Sequence, residues 1–169
     1  FEKLAFYRKK KIKDLVVCVL DRPRHKYIFN VIKKLKCKKF LIPDGDIFGA
    51  ISTGIKKFNI DIYVGIGGAP EGVLAASALK CLDGQMQCRL IFKSYYQKKR
   101  AKKMGIKNLN KKYSINDLIK KDSIFVATGV TDGYLLKGIK KNKKTFNTHS
   151  LIITTKSKKI KFIKSEFKS

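Results

Sequence analysis

The sequence predicts an α/β fold in which strands and helices alternate in layers. Short apolar runs, typical of strands buried on both faces, alternate along the chain with segments whose apolar residues recur every three or four positions. A length of 169 residues suits one domain. The predicted strands are residues 15–20, 40–42, 60–66, 86–92 and 123–127.

Helical periodicity is clear between these strands. Ile28, Ile32 and Leu35 share one face of a predicted helix, while Lys33 lies on the opposite face. The segment 72–82 is apolar nearly all round, which predicts a helix buried on several sides. The remaining predictions are a helix at 47–58, a short helix and loop within 95–113, a small helix at 115–119, and a closing hairpin at 149–155 and 159–163.

The charge balance is strongly basic. Forty Lys and Arg against twelve Asp and Glu give +28, but only five of the basic residues are Arg, and the lysines occur in short clusters throughout. Such runs usually mark solvated surface, so we expect no specific nucleic-acid partner. A basic nucleic-acid-binding module is the least favoured alternative, with Tyr95 and Tyr96 beside residues 97–100 as its stacking and phosphate contacts.

Cysteine usage and the length of the apolar runs predict a soluble cytoplasmic protein. Cys18, Cys37, Cys81 and Cys88 form no Cys-x-x-Cys pair and have no histidine at zinc-finger spacing, so we expect buried thiols. No apolar run approaches the roughly 18 residues that span a bilayer, and residues 1–13 do not resemble a signal peptide. We therefore expect no membrane partner.

Five of the few acidic residues lie where an apolar run meets a turn. In an α/β fold this location is the carboxyl edge of the sheet, where ligands bind and helix N-termini face anions. We therefore expect a shared site there. The five residues are Asp21, Asp44, Asp46, Glu71 and Asp132.

The first of these turns predicts an anion clamp. Arg22 and Arg24 stand on either side of Pro23, and their planar guanidinium groups suit bidentate phosphate binding. The alternative is that Asp21 and the arginines cap the following helix, and His25 by itself is more typical of a cap.

The second turn carries two carboxylates, Asp44 and Asp46, on either side of Gly45. Paired carboxylates at a tight bend can accept hydrogen bonds from sugar hydroxyls or bind a hard cation. An ordinary Pro-Asp-Gly turn with Asp46 as a helix cap explains the same spacing.

The third turn, residues 65–72, is rich in glycine and ends in a carboxylate. Glycines let backbone amides approach a phosphate, Pro70 suits the start of a helix, and Glu71 lies in the positively polarised first turn. A carboxylate beside such a bend suits a metal ion together with a phosphoryl group, although a favourable helix-dipole glutamate is the alternative. Pro70 takes the last glycine position of the dinucleotide-binding fingerprint, so that function is not favoured.

The fourth turn, residues 127–133, offers hydroxyl groups and Asp132 after a strand, and turn formation explains it almost as well. The sequence has no recognisable Ser-His-Asp set or His-Glu-x-x-His motif, so serine hydrolases and zinc proteases are not favoured.

These turns belong to a distinctive set of five segments. The segments are Asp-Arg-Pro-Arg-His at residues 21–25, Ile-Pro-Asp-Gly-Asp at 42–46, Tyr-Val-Gly-Ile-Gly-Gly-Ala-Pro-Glu-Gly-Val-Leu-Ala-Ala at 63–76, Ala-Thr-Gly-Val-Thr-Asp-Gly at 127–133 and Thr-His-Ser-Leu at 148–151. In this order and spacing the set resembles the carboxy-terminal half of bacterial class II fructose-1,6-bisphosphatase. The resemblance covers nearly all of residues 1–169 and is weakest in the basic region 93–112.

The resemblance implies a layered sugar-phosphatase fold of the lithium-sensitive phosphatase type, here only its later half. It also implies metal-dependent hydrolysis of fructose 1,6-bisphosphate to fructose 6-phosphate in gluconeogenesis and glycerol metabolism, by a full-length homo-oligomer that uses Mn²⁺ or Mg²⁺. Glu71 matches a metal ligand of the family, whereas Asp132 and His149 match motif positions without a definite role. The positions that match substrate-binding residues are Arg22, Pro23, Arg24, Asp44, Gly45, Asp46 and Gly68.

The resemblance also implies that the amino-terminal half, with the other metal carboxylates and the threonine that helps to activate water, is absent from these residues. We therefore expect no catalytic residue in this half and little or no activity from residues 1–169 alone, which agrees with a chain that begins at Phe1 rather than Met. The alternatives are a phosphatase for sedoheptulose 1,7-bisphosphate or another sugar phosphate, and an inactive truncated product.

Overall fold

A small parallel sheet carries the turns of interest. In the computed structural model, which describes residues 1–168, the strand Val16–Leu20 (β1) pairs in parallel with Lys38–Ile42 (β2) on one side and with Ile62–Tyr63 (β3) on the other. β1 is almost fully buried because its residues are apolar and it is the central strand of this sheet. Its carboxyl end lies beside that of β2, which brings the turns after both strands to one edge.

Helices connect these strands, as parallel pairing requires. A helix at Glu2–Arg8, which the sequence did not predict, packs beside the parallel sheet through Ala5. The helix predicted at 47–58 ends early, and a separate 3₁₀ turn follows at Lys56–Phe58. The helices are Glu2–Arg8 (α1), Lys26–Lys34 (α2), Asp46–Ser52 (α3), Ala69–Cys81 (α4), Tyr95–Lys103 (α5) and Ile115–Leu118 (α6).

The later part of the chain builds antiparallel sheets. Gln87–Cys88 (β4) pairs with Tyr113–Ser114 (β5). The long strand Thr145–Thr154 (β8) pairs along one edge with the strands β6 and β7 and along its other edge with β9. These three partners are Ile124–Thr128 (β6), Lys140–Lys141 (β7) and Lys161–Lys168 (β9).

The elements stack as alternating helical and sheet layers. α1 and α2 pack on one side of the parallel sheet through a cluster that includes Val17, Val19 and Ile32. On the other side, α3 and α4 lie between the parallel sheet and the β6–β8–β9 sheet, where Leu151 and Ile153 contact them. This arrangement confirms the predicted layered α/β class.

Several predicted elements differ in length or burial. Of residues 60–66 only β3 is paired, and of residues 86–92 only β4. The strand predicted at 123–127 was expected to be fully buried, but Ile124 and Val126 point to solvent because helices cover only one face of its sheet.

Residues 1–168 contain no helix that is both long and apolar enough to cross a membrane. The four cysteines are free; Cys18, Cys37 and Cys81 are buried as predicted, whereas Cys88 is half-buried. Burial raises the pKa of the Cys18 thiol to about 12, so this thiol stays protonated and poorly nucleophilic near neutral pH.

The packing predicts which side chains carry stability. Leu151 is fully buried against α3 and α4, so we expect Leu151→Ala to lower the free energy of unfolding by about 2–5 kcal/mol and Ile153→Val by about 0.5–1.5 kcal/mol. The exposed Ile91 provides the control, and Ile91→Ala should change the free energy of unfolding by less than about 0.5 kcal/mol. Urea denaturation followed by circular dichroism measures all three, and equal losses for Ile91 and Leu151 would contradict the assigned core.

Candidate functional site

The first and third turns are joined by a buried histidine. His25 is fully buried, and its Nδ1 donates a hydrogen bond to the carbonyl oxygen of Leu20 at 2.8 Å. Its Nε2 accepts a hydrogen bond from the backbone amide of Ile66 at 2.9 Å. The ring therefore connects the end of β1 to the glycine-rich turn. The sequence suggested only a helix cap at this position.

The two arginines of the first turn contact different neighbours. Arg24 Nε donates to the carbonyl oxygen of Ile66 at 2.6 Å, and Arg22 lies 3.9 Å from a carboxylate oxygen of Asp44. Pro23 begins the short 3₁₀ helix Pro23–His25 between them. Arg22 thus reaches the second turn while Arg24 reaches the third, so the proposed clamp spans three segments of the chain.

The second turn is shaped by Gly45, whose φ of +93° is a left-handed conformation that favours glycine. The amide of Gly45 donates to the side chain of Asp44 at 2.8 Å. Asp46 begins α3, and its carboxylate accepts a hydrogen bond from the hydroxyl of Tyr63. Burial, and then this bond to Asp46, raises the pKa of Tyr63 above its usual range, so the phenol remains a hydrogen-bond donor.

The third turn brings a carboxylate against the backbone. The side chain of Glu71 folds back onto Gly68, so a larger residue at position 68 would require this flexible side chain to move. On the other side of the bend, Gly67 lies against the Asp46 carboxylate. Glu71 is exposed in the first turn of α4, as predicted, with Pro70 before it.

The carboxylate of Glu71 is an oxygen ligand of the kind that binds metal ions, but residues 1–168 offer it no complete set of further ligands. No group of three or more His, Cys, Asp or Glu side chains that could hold a metal is found within residues 1–168. Divalent cations of the magnesium and manganese type need several oxygen ligands, part of which water or substrate can supply. The described residues therefore do not form a complete metal site by themselves.

The fourth turn is held mainly by its own loop. Asp132 accepts a hydrogen bond from the amide of Gly138 at 3.0 Å, and this bond, with the nearby Lys137 and Lys140, holds the pKa of its carboxyl below the usual value. His149 Nδ1 accepts from the amide of Lys137 at 3.0 Å. These bonds support the turn-forming interpretation of Asp132.

The same loop nevertheless reaches the second turn. The ring of Tyr134 stacks on Phe48 of α3 with a centroid distance of 5.0 Å. It also contacts Phe40 of β2 edge-on at 5.8 Å. The fourth turn is thereby fixed beside the residues that follow β2.

The resulting surface is open and suited to an anionic, hydroxylated ligand. Guanidinium groups and the N-terminus of the 13-residue helix α4 favour negative charge, and the carboxylates of the second turn can accept from hydroxyl groups. Two surface hollows lie away from these turns, and no residue of the turns lines either of them. The first is lined by Lys143, Lys144, Thr145 and Lys168, and the second by Phe1, Glu2, Lys3, Ile12 and Leu35.

Sequence reasoning identified the four turns but missed the side chains that join them. His25, Tyr63 and Tyr134 each link two segments that are distant in the chain. His25, in the first turn, and Tyr63, at the end of a predicted strand next to the glycine turn, had a positional signal, whereas Tyr134 had none. The binding and metal roles of the other residues stay predictions.

Comparison with known proteins gives a family. The model of the family described as "Bacterial fructose-1,6-bisphosphatase, glpX-encoded" matches residues 1–167. This chain belongs to that family. The family is one of metal-dependent phosphatases, and the resemblance drawn from the five segments is confirmed.

Curated relatives agree with the family. The fructose-1,6-bisphosphatase class 2 of Haemophilus influenzae is 37% identical over 170 residues, covering 92% of this chain and 51% of the relative. The D-fructose 1,6-bisphosphatase class 2/sedoheptulose 1,7-bisphosphatase of Microcystis aeruginosa is 37% identical over 90% of this chain and 48% of its own length, and that of Trichodesmium erythraeum is 36% identical over the same shares. The chain thus spans about half the length of the curated relatives it matches.

The role of His25 can be tested without catalysis. We expect His25→Leu to leave the Ile66 amide without its acceptor, so hydrogen exchange of this amide, measured by NMR, should become much faster. The amide of Val64, which donates to the carbonyl of Cys18 at 3.0 Å, is the internal control and should keep its protection. Unchanged exchange at Ile66 would contradict the connection between the two turns.

Proposed function

We propose that residues 1–169 are the carboxy-terminal, substrate-binding portion of a class 2 fructose-1,6-bisphosphatase. The observation that carries this proposal is the meeting of three turns at one sheet edge, through the Arg22–Asp44 ion pair and the bonds of His25 and Arg24 to Ile66. The reaction is hydrolysis of fructose 1,6-bisphosphate to fructose 6-phosphate and phosphate, in the cytoplasm and as a step of gluconeogenesis.

The proposed contacts follow from the chemistry of the turns. Arg22 and Arg24 bind a phosphate group, because guanidinium groups form charge-assisted, bidentate hydrogen bonds with phosphate oxygens. Asp44 and Asp46 accept hydrogen bonds from sugar hydroxyls. The backbone at Pro23, Gly45 and Gly68 completes the contact surface, since glycine lets the main chain approach a ligand closely.

Glu71 is the proposed metal ligand of this portion. Mn²⁺ or Mg²⁺, when bound, supplies charge neutralisation at the phosphoryl oxygens. The N-terminus of α4 favours negative charge at the same place. Since residues 1–168 hold no complete metal site, these residues orient the substrate and contribute one ligand.

A second candidate substrate is sedoheptulose 1,7-bisphosphate, which the relatives of Microcystis aeruginosa and Trichodesmium erythraeum carry in their names. Both molecules are sugar bisphosphates, so the arginine and carboxylate contacts apply to either. Titration of this chain with each bisphosphate distinguishes them by affinity.

Ligand binding tests the proposal directly. We expect fructose 1,6-bisphosphate to shift NMR signals of the first three turns, and Arg22→Gln to weaken binding about tenfold or more, since a hydrogen bond to a charged group contributes roughly 1.5–3 kcal/mol. Arg89→Gln is the matched control, because Arg89 is exposed outside these turns. Equal effects of both substitutions, or no binding by the unmodified chain, would contradict the proposed contacts.

The chain alone should not catalyse the reaction. With Glu71 as its only proposed metal ligand, we expect no release of phosphate from fructose 1,6-bisphosphate above the protein-free control, with either Mn²⁺ or Mg²⁺. The full-length Haemophilus influenzae relative serves as the positive control in the same colorimetric assay. Metal-dependent release at a comparable rate would show that one carboxylate is enough.

A further inference from the structure

Tyr63, the last residue of β3, lies where the second and third turns approach each other. Its hydroxyl donates a hydrogen bond to Oδ1 of Asp46, which begins α3 directly after the second turn. Gly65 follows two residues later in the glycine-rich turn, and a Cβ atom at position 65 would overlap the same hydroxyl. One phenol oxygen therefore lies against both turns.

The ring of Tyr63 is held in place by packing. It lies so close to Gly49 of α3 that a Cβ atom at position 49 would overlap the edge of the ring. The ring also packs against the buried Ile42 cluster of the parallel sheet and against the cluster of Ala50 between α3 and α4. Because packing fixes the ring, the hydroxyl stays at one place relative to Asp46.

The hydroxyl of Tyr63 acts as a permanent hydrogen-bond donor. Burial, followed by the hydrogen bond to Asp46 and the charge of that carboxylate, raises the pKa of Tyr63 above its usual range. The phenol therefore keeps its proton at neutral pH. An ionised carboxylate only accepts hydrogen bonds, so the Tyr63 hydroxyl occupies Oδ1 of Asp46 and leaves Oδ2 as the oxygen available to a ligand.

The backbone of the glycine-rich turn is a second neighbour of the Asp46 carboxylate. A Cβ atom at Gly67 would lie 3.3 Å from Oδ1 and 3.5 Å from Oδ2. The carboxylate thus has a hydroxyl donor from β3 and a close main-chain contact from the third turn. Both contacts restrict the rotation of the Asp46 side chain.

We propose that Tyr63 is a positioning residue for sugar recognition, whose hydroxyl holds the Asp46 carboxylate so that Oδ2 accepts a hydrogen bond from a hydroxyl group of the bound sugar bisphosphate. A carboxylate that is already held loses less rotamer freedom when the ligand binds, which strengthens binding. This inference rests on the proposed function, in which Asp46 is a substrate contact. Tyr63 acts through Asp46 and has no contact of its own with the ligand.

The hydrogen bond itself is tested without ligand. In the full 169-residue chain, we expect Tyr63→Phe to shift the carbon NMR signal of the Asp46 carboxylate, because that group loses its donor and the ring is kept. The carboxylate of Asp44, which accepts from the Gly45 amide at 2.8 Å, is the internal control and should keep its signal. An unshifted Asp46 signal would overturn the inference.

A double-mutant cycle tests whether Tyr63 acts through Asp46. Titration calorimetry with fructose 1,6-bisphosphate compares the unmodified chain, Tyr63→Phe, Asp46→Ala and the double variant. We expect Tyr63→Phe to weaken binding by about three- to tenfold, the effect of one hydrogen bond. The double variant should bind as Asp46→Ala does, within about twofold, because the hydroxyl has no carboxylate left to hold. Tyr95→Phe is the matched control, since Tyr95 is exposed on α5, and it should bind like the unmodified chain.

Two binding results would overturn this inference alone. The first is an affinity that Tyr63→Phe leaves unchanged, and the second is a pair of losses that add in the double variant, as a purely structural role of Tyr63 predicts. No binding by the unmodified chain would instead overturn the proposed function, and the inference with it. Circular dichroism verifies that the variants fold, and if Asp46→Ala does not fold, the comparison of Tyr63→Phe with Tyr95→Phe and the Asp46 signal still decide.

Discussion

His25 fixes the relation between the end of β1 and the glycine-rich turn, because one small ring accepts from the Ile66 amide and donates to the Leu20 carbonyl. The two strands that lead to these turns, β1 and β3, are paired at only two positions of β3. Backbone pairing alone would leave the glycine-rich turn poorly defined. The buried ring supplies the missing constraint, and Arg24 adds a second bond to the same residue. Glu71 follows a few residues after Ile66, in the first turn of α4.

Few of the charged side chains have defined partners in the site turns, and most are solvated. The site turns use two of the five arginines, whereas the lysines lie mainly on exposed surface. Helix α5 is an example: only its Ala101 is buried, and Tyr95 and Tyr96 are exposed among basic residues. Its start is defined by Ser94, which accepts from the Gln97 amide at 3.3 Å. A capping hydrogen bond thus begins a helix within a segment whose sequence is dominated by basic residues.

The sequence predicted helices and turns better than strand lengths, and the reason is physical. Helical periodicity and glycine or proline turns are local, so α2, α4 and the three site turns were located correctly. A strand needs a neighbour, and the apolar run at 60–66 pairs only where β1 offers Val17 and Cys18, after which Gly65 begins the bend. The contacts of His25, Tyr63 and Tyr134 were invisible for the same reason, because each joins residues that are far apart in the chain.

The remaining disagreement concerns burial. Helix α4 is apolar nearly all round, a pattern typical of a helix covered on several sides, yet Val73 and Leu74 are 42% and 48% exposed directly after Glu71. Ile124 and Val126 show the same mismatch on the β6–β8–β9 sheet. At both places, residues 1–168 leave apolar side chains exposed that the sequence pattern predicts to be buried.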